Sequence, residues 1–241
     1  MSQALDASLA TGFAPLAALH VDWAGSSLEG PPYALYFFRH NEYIRWDVDK
    51  ECLFEGYPKD ISWGWPGLLD VFPGVPLAGA MHVPGWDNRA FFFFQDQDHA
   101  AVWNVAEHRL EKDTISVQEL LPSELTAPGH FAPVHVDRGD GQIVYVFRAD
   151  TYTRFTVRPG EMPTREDDGY PRKIGDGWTG GLTVAPTCAV SVRWTHRDKS
   201  LPAHKLYFFL GELYTRWDIE QHASNYRLDI PSGWPGWPEF T

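Results

Sequence analysis

One short segment recurs four times in the chain, and it limits the fold more than any other feature. In its clearest form it reads Leu206-Tyr-Phe-Phe-Leu-Gly-Glu-Leu-Tyr-Thr-Arg-Trp-Asp218, where aromatic residues flank a Gly-Glu pair that suits a tight turn. This pattern predicts a β-hairpin. The other copies begin at Leu35, Phe92 and Val144. Four copies of one hairpin indicate a repeat protein.

The composition supports strands and turns rather than long helices. The chain has 241 residues, 44% of them hydrophobic, and contains Trp 11, Tyr 10, Phe 15, Gly 21 and Pro 19. Units of roughly 60 residues match the size of propeller blades, so we expect a single all-β body with four blades. The expected blades are residues 16–72, 77–125, 131–182 and 186–238.

Charge and hydropathy limit the partners. A net charge of −12 disfavours nucleic acid and anionic lipid, so we expect neither a nucleic-acid nor a membrane partner. The N-terminus lacks a signal-peptide pattern, and no run of about 18 apolar residues is present to span a membrane. We expect a soluble cytoplasmic protein, with secretion left open. Cys52 and Cys188 are too few for a disulfide scaffold and are expected to be two small buried thiols.

The four units align because equivalent residues are separated by the same intervals. Successive intervals of 57, 52 and 62 residues separate Trp46, Trp103, Phe155 and Trp217. The same intervals separate Tyr36, Phe93, Tyr145 and Tyr207. The strand that precedes each hairpin is therefore the predicted inner strand, and these strands are Leu16 to Trp23, Ala80 to Val83, Pro133 to Asp137 and Cys188 to Trp194.

The full unit resembles the hemopexin-like repeat: an inner strand, an aromatic hairpin ending in Tyr-x-Arg-Trp-Asp, and a closing Gly-Tyr-Pro-x-x-Ile before Trp-Pro-Gly. The first unit carries the pattern in Tyr36, Phe37, Phe38, Tyr43, Arg45, Trp46, Gly56, Tyr57, Pro58, Ile61, Trp65 and Pro66. The third carries it in Tyr145, Phe147, Tyr152, Arg154, Gly169, Tyr170, Pro171 and Ile174. The fourth carries it in Tyr207, Phe208, Phe209, Gly211, Tyr214, Arg216, Trp217, Asp218 and Trp234. The resemblance implies a four-bladed β-propeller around a narrow axial tunnel.

Two departures from that family bear on function. The resemblance implies inner strands that open with Asp-Ala-Ala, whose carbonyls ring a calcium or sodium ion. Here the stretch reads Ala-Leu-His, Ala-Met-His, Pro-Val-His and Ala-Val-Ser, which disfavours either ion in the tunnel. Secreted members join the first and last blades by a disulfide near the chain ends, and Cys52 and Cys188 lie elsewhere.

Three of the four inner strands carry a histidine at one repeat position. The interval from His20 to His82 is 62 residues, from His82 to His135 it is 53, and from His135 to Ser191 it is 56. Because inner strands converge on a propeller axis, these side chains are expected to face one another. Three imidazoles with an open fourth position suit Zn, Cu or Fe. The alternative is that they hydrogen-bond a neighbouring strand or line a wet tunnel without metal.

The residues around this position have predicted roles too. Asp22 and Asp137 lie two residues further along their strands, where they orient the imidazoles or are simply solvated. Ser191 and Arg193 stand at the open fourth side and are the candidate ligand-binding residues. Loop histidines are predicted at His40, His99, His196 and His204, the Trp-Pro-Gly stretches are expected to pack between blades rather than bind sugars, and the Arg138-Gly139-Asp140 turn needs no adhesion role.

Three hypotheses about function follow from the sequence. The first is binding of a divalent transition metal, or of haem or another small ligand, through His20, His82 and His135. The second is an enzyme of specialised metabolism that uses the same tunnel, either metal-dependent or similar to hemopexin-like pericyclases. The third is a metal-free scaffold that binds protein or glycan. Whether the propeller forms a homodimer is left open.

Overall fold

The computed structural model of the chain describes most of the sequence between residues 14 and 238. The described residues are 14–22, 33–86, 88–126, 131–137, 141–193 and 204–238. Only the backbone is described for Asp22, Tyr33, Arg193, Asn225 and Tyr226. The Arg138 to Asp140 turn and His196 lie outside the described residues.

Within those residues the strands form four antiparallel sheets, and a short helix follows each sheet or its hairpin. The first sheet and helix are β1 (Ala17–Asp22), β2 (Tyr33–Arg39), β3 (Glu42–Asp47), β4 (Cys52–Leu53), β5 (Lys59–Asp60) and α1 (Ile61–Gly64). The second are β6 (Leu77–Val83), β7 (Arg89–Phe94), β8 (His99–Asn104), β9 (Arg109–Leu110), β10 (Ile115–Ser116) and α2 (Val117–Leu120). The third are β11 (Ala132–Asp137), β12 (Gln142–Arg148), β13 (Thr151–Val157), β14 (Arg172–Lys173) and α3 (Ile174–Gly177). The fourth are β15 (Cys188–Arg193), β16 (His204–Leu210), β17 (Leu213–Asp218), β18 (Ala223–Asp229) and α4 (Ile230–Gly233).

Each sheet is built on the hairpin that the sequence predicts. In the fourth sheet Leu210 pairs with Leu213 across a turn whose first residue, Gly211, has a φ of 66°. His40 and Ala149 occupy the same turn position in the first and third sheets, with φ values of 52° and 53°. All three hairpins thus turn through a residue in the left-handed region, as the Gly-Glu pair indicated.

The second sheet corrects the sequence alignment by two residues. Its β7 and β8 are joined by the four residues from Gln95 to Asp98, whereas two residues join the other hairpins. As a result Ala90 is paired with Trp103, and Phe91, not Phe93, takes the place of Tyr36. An offset of two residues keeps every side chain on the same face of a strand, so the alternating pattern could not reveal it.

The hydrophobic core lies between neighbouring sheets rather than inside one. Four separate clusters of buried side chains are found in the described residues, and each combines two consecutive sheets, with the fourth sheet also packing on the first. Aromatic rings bridge each interface with centroids 4.9 to 5.5 Å apart, in the pairs Phe38–Phe92, Phe93–Phe131, Phe147–Phe208 and Phe37–Phe209. Ring pairs in this range add stabilisation beyond the burial of their area.

The first strands of the four sheets close a ring. Strand β1 packs against β6, β6 against β11, β11 against β15, and β15 against β1. The four sheets are therefore blades around a common axis, and β1, β6, β11 and β15 are the inner strands. The prediction of an all-β, four-bladed β-propeller is confirmed.

The tryptophan-rich stretches pack between blades with one exception. Trp65, Trp234 and Trp237 are buried, and Trp234 contacts both Phe37 of the first blade and Phe209 of the fourth. Trp63 instead is 68% exposed, and the Lys59 ammonium lies 3.5 Å from the centre of its ring. The packing prediction therefore holds for the Trp-Pro-Gly elements but not for Trp63.

The remaining features of the fold are simple. In the described residues every α-helix has four residues, and none is long and apolar enough to cross a membrane. Cys52 and Cys188 are free thiols. Cys188, in β15 of the fourth blade, is buried as predicted, whereas Cys52, in β4 of the first blade, is only half-buried. Burial raises the pKa of the Cys188 thiol well above its usual range, which makes that sulfur a poor nucleophile.

Candidate functional site at the propeller axis

Four residues occupy one equivalent position on the four inner strands. The pairing partners of His20, His82, His135 and Ser191 on the second strands are Leu35, Ala90, Val144 and Leu206. Those partners pair in turn with Trp46, Trp103, Phe155 and Trp217 on the third strands. The identical pairing in every blade places the three imidazoles and the serine at one level of the axis.

A second group of polar residues lies diagonally opposite this position. In the second, third and fourth blades it lies two residues before the pairing partner, on the second strand or just before it. Its members are Asn88, Gln142 and His204. The Nε2 atom of His82 is 2.6 Å from Oδ1 of Asn88, and Oγ of Ser191 is 2.7 Å from Nε2 of His204. We call these three residues the second-strand group.

His204 was missed as a site residue by the sequence prediction, which placed it in a surface loop. It is the first residue of β16 and only 6% of it is exposed. It lies close enough to His20 for its charge to lower the pKa of that imidazole. The fourth blade therefore supplies an imidazole from its second strand, where the other blades supply one from the inner strand.

Burial keeps two of the axial imidazoles uncharged at neutral pH. Burial lowers the pKa of His20 to about 4, helped by the charges of His82 and His204. Burial also lowers the pKa of His135 to about 3, with a further contribution from His82 that outweighs the opposing Asp137. These mutual effects show that the rings lie near one another, and the uncharged imidazole is the form that binds a metal.

Two buried polar atoms on the first two strands of the third blade have no hydrogen-bond partner among the described residues. They are Nε2 of His135 and Oε1 of Gln142. The Gln142 side chain nevertheless lies beside the His135 ring, close to hydrogen-bonding geometry with it, and this interaction acts to raise the pKa of His135. Buried polar atoms without partners are rare in proteins and mark places where a water, an ion or a ligand binds.

The described side chains are not arranged around one ion. Among the residues that the structure describes, no three His, Cys, Asp or Glu side chains form a group that could hold a metal. The Nε2 atom of His82 is hydrogen-bonded to Asn88, so this nitrogen is already engaged. The metal ligands predicted from the sequence are therefore near the axis, and their role as ligands stays a prediction.

The other predicted site residues are placed less completely. Asp22 and Arg193 end β1 and β15, and their side chains lie outside the described residues. Asp137 ends β11, is exposed, and acts on His135 through its charge. His40 is exposed in its turn as predicted, while His99 begins β8 and bonds Asp98 instead of lying in the turn.

The closed ring of four blades, with polar side chains at its axis, defines a four-bladed β-propeller. Its fold is that of the hemopexin-fold proteins, as the repeat pattern indicated. The hemopexin fold protein CP4 from cow pea superposes with a TM-score of 0.63 at 20% identity, covering 92% of this chain and 95% of that chain. No protein-family model and no curated protein matches the sequence.

Two other solved structures show the same likeness. LS24, a seed albumin from Lathyrus sativus, has a TM-score of 0.66 at 18% identity and covers 92% of this chain and 94% of its own. A plant lectin with two metal binding sites from Cicer arietinum has a TM-score of 0.65 at 18% identity, with 92% and 96% covered. At these identities the likeness establishes the fold.

Proposed function

We propose that the protein binds a divalent transition metal ion at the propeller axis through His20, His82 and His135. The observation that carries this proposal is the identical pairing position of the three histidines on three inner strands. Imidazole nitrogen suits Zn, Cu and Fe, whereas Ca²⁺ and Mg²⁺ prefer oxygen ligands. One relative in fold is described as a lectin with two metal binding sites, which is in keeping with a metal in such a propeller.

Electrostatics support the same ligand class. Burial holds His20 and His135 in the uncharged state by lowering their pKa values, so no proton has to leave these two rings at neutral pH. His204 adds a fourth imidazole near His20, and Ser191 adds a hydroxyl at the open side. The protein's net charge of −12 favours a cation over an anion.

Binding requires the side chains to move. Because no three ligands surround one point in the described residues, His20 and His135 must rotate about their χ angles to share an ion with His82. The backbone positions need not change, since the inner strands already converge. We therefore expect an affinity lower than that of a preformed structural zinc site.

Titration with Co²⁺, followed by its visible absorption, tests the proposal directly. The test variant replaces His20, His82 and His135 by Gln, and the matched control replaces the histidines outside the cluster, His40, His99 and His222. We expect one ion per chain in the wild type and in the control, and none in the test variant. Equal binding by the test variant and the wild type would place the metal elsewhere and exclude this site.

Glycan binding is a second candidate because of Trp63. This indole is 68% exposed in a protein whose other described tryptophans are mostly buried, and Lys59 covers one of its faces. Exposed aromatic faces stack on sugar rings, and relatives in fold are described as a plant lectin and as an albumin showing hemagglutination. Glycan-array binding that is lost in Trp63→Ala, and kept in the three-histidine variant, would support it.

A further inference from the structure

The hydrogen bond between His82 and Asn88 determines which nitrogen of this imidazole carries the proton. Oδ1 of Asn88 lies 2.6 Å from Nε2 of His82, and His82 is only 5% exposed. An amide oxygen accepts hydrogen bonds and cannot donate them, so Nε2 must carry the hydrogen. In an uncharged imidazole the lone pair then resides on Nδ1.

The backbone fixes Asn88 in the position from which it makes this bond. Asn88 has a φ of 54°, a conformation that asparagine tolerates better than most residues. Its N–H donates to the carbonyl of Pro84 at 3.1 Å, and its carbonyl accepts from the N–H of Val105 at 3.2 Å. With both backbone groups held, the short side chain has little freedom to leave His82.

The position of Asn88 also follows a rule of the fold. Asn88 lies two residues ahead of Ala90, the pairing partner of His82, just as His204 lies two residues ahead of Leu206, the partner of Ser191. These two of the three members of the second-strand group bond the inner-strand residue diagonally opposite. In the second and fourth blades the second strand therefore orients a polar side chain of the inner strand.

We propose that Asn88 is a positioning residue that holds His82 with its proton on Nε2, so that Nδ1 is the metal-binding nitrogen of the second blade. Histidines that bind metals commonly donate their other N–H to a carbonyl or carboxylate, and Asn88 supplies that acceptor. The tautomer follows from the hydrogen bond alone, whereas the role of Nδ1 rests on the proposed function.

The positive φ of Asn88 permits a clean test. Asn88→Gly removes the amide without backbone strain, since glycine adopts positive φ freely. Asn88→Asp retains an acceptor, and Ala149→Gly, at a φ of 53° in an exposed turn, is the matched control. The readouts are the ¹⁵N chemical shifts of the His82 ring, which distinguish the two tautomers, and the affinity for Co²⁺.

We expect a single tautomer with the proton on Nε2 in the wild type, Asn88→Asp and Ala149→Gly, and a mixture in Asn88→Gly. Affinity for Co²⁺ should fall roughly 10 to 100-fold in Asn88→Gly and stay near the wild-type value in the other two. A proton on Nδ1 in the wild type, or an unchanged tautomer in Asn88→Gly, would overturn the positioning role. Unchanged Co²⁺ affinity in Asn88→Gly would overturn the assignment of Nδ1. If the tautomer responds as expected but the wild type binds no metal, the proposed function fails while the positioning role stands.

Discussion

Ser191 and His204 are hydrogen-bonded across β15 and β16, with 2.7 Å between Oγ and Nε2, and both side chains are buried. This bond explains how the fourth blade takes part in a site whose other blades carry histidine on the inner strand. In the fourth blade the imidazole lies on the second strand, and a serine hydroxyl lies at the inner-strand position where the other blades have histidine. The four blades thus present four polar positions but not four equivalent ligands.

The first prediction concerns the strength of this pair. Ser191→Ala removes the hydroxyl from a buried imidazole and should lower the free energy of unfolding by about 1 to 3 kcal/mol. In Ser191→Ala with His204→Phe the polar group is gone as well, so the double change should cost less than the sum of the two single changes. Urea unfolding at neutral pH measures the coupling, and a coupling energy of zero would show that the bond is not formed in solution.

The second prediction is that the metal-free protein is acid-labile. The pKa values of His20 and His135 are lowered to about 4 and about 3 in the folded state, against about 6.5 in an unfolded chain. Well above pH 6.5 both imidazoles are uncharged in the folded and in the unfolded state, so they do not reduce the stability of the protein. As the pH falls below 6.5, these two histidines become protonated in the unfolded chain but remain uncharged in the folded protein. Each group then removes at most about 1.4 kcal/mol of stability per pH unit.

Urea unfolding between pH 7.5 and pH 4.5 gives the slope of stability against pH. His135→Gln removes one titrating group from the cluster and should reduce that slope by up to about 1.4 kcal/mol per pH unit, the effect of one proton. His40→Gln, in an exposed turn, is the control for the substitution itself. A slope that does not change in His135→Gln would mean that His135 is protonated in the folded protein as readily as in the unfolded chain.

Most of the fold could be predicted because its strongest signal is local. The alternation of aromatic residues around Gly211 identifies a hairpin without any knowledge of distant contacts, and its four copies determine the number of blades. The two-residue error in the second blade arose from the longer Gln95 to Asp98 turn. Side chains in a strand alternate with a period of two residues, so a shift of two residues leaves the hydrophobic pattern unchanged. Only the pairing of Ala90 with Trp103 gives the correct alignment of the second blade.

The candidate site was predicted only in part, because half of it depends on pairing between strands. The three histidines could be found by subtraction, since they precede the recognisable hairpins at nearly constant spacing. His204 and Lys205 look like polar loop residues until Lys205 is paired with Asp218, 13 residues away. The missed signal was available: His204 and Gln142 both lie 13 residues before the aromatic residue that ends their hairpin, Trp217 and Phe155.

The third prediction concerns a buried ion pair that the sequence did not indicate. Nζ of Lys205 is 2.8 Å from Oδ1 of Asp218, and the two side chains are 5% and 3% exposed. Lys205→Met would remove the closest cation from a buried carboxylate, with Arg216 lying further away at 4.0 Å, and should cost about 3 to 5 kcal/mol. Adding Asp218→Leu should recover most of that loss, since the unpaired charge is then gone.

The first blade offers the matched control for this pair. Asp47 takes the place of Asp218 after Trp46, but it accepts hydrogen bonds from the backbone N–H groups of Asp49 and Lys50. The Lys50 ammonium lies 3.7 Å away and its side chain is 76% exposed. Lys50→Met should therefore change stability by about 0 to 1 kcal/mol. Equal effects of Lys50→Met and Lys205→Met in urea unfolding would contradict the importance of burial.

The fourth prediction comes from a contact between the short helix and the third strand of each blade. A Cβ atom on the last helix residue, which is Gly64, Gly177 or Gly233, would overlap the hydroxyl of Tyr43, Tyr152 or Tyr214 on the third strand. In the second blade the two positions hold Leu120 and Ala100, and both pack in the core cluster between the second and third blades. In the second blade a large helix residue faces a small strand residue, and in the other three blades a glycine in the helix faces a tyrosine on the strand. The space between helix and strand is therefore about the same in all four blades.

Gly177→Ala should accordingly lower the free energy of unfolding by about 1 to 3 kcal/mol, because the tyrosine must shift in a packed interior. Gly175→Ala, two residues earlier in α3, meets nothing within 4 Å and should stabilise the protein by about 0.4 to 1 kcal/mol through the unfolded chain. Gly177→Leu alone should be more damaging than Gly177→Ala, and Tyr152→Ala should partly restore its stability by recreating the pair of the second blade. Urea unfolding of these variants tests the relationship, and losses that simply add in Gly177→Leu with Tyr152→Ala would show that the two positions do not share one space.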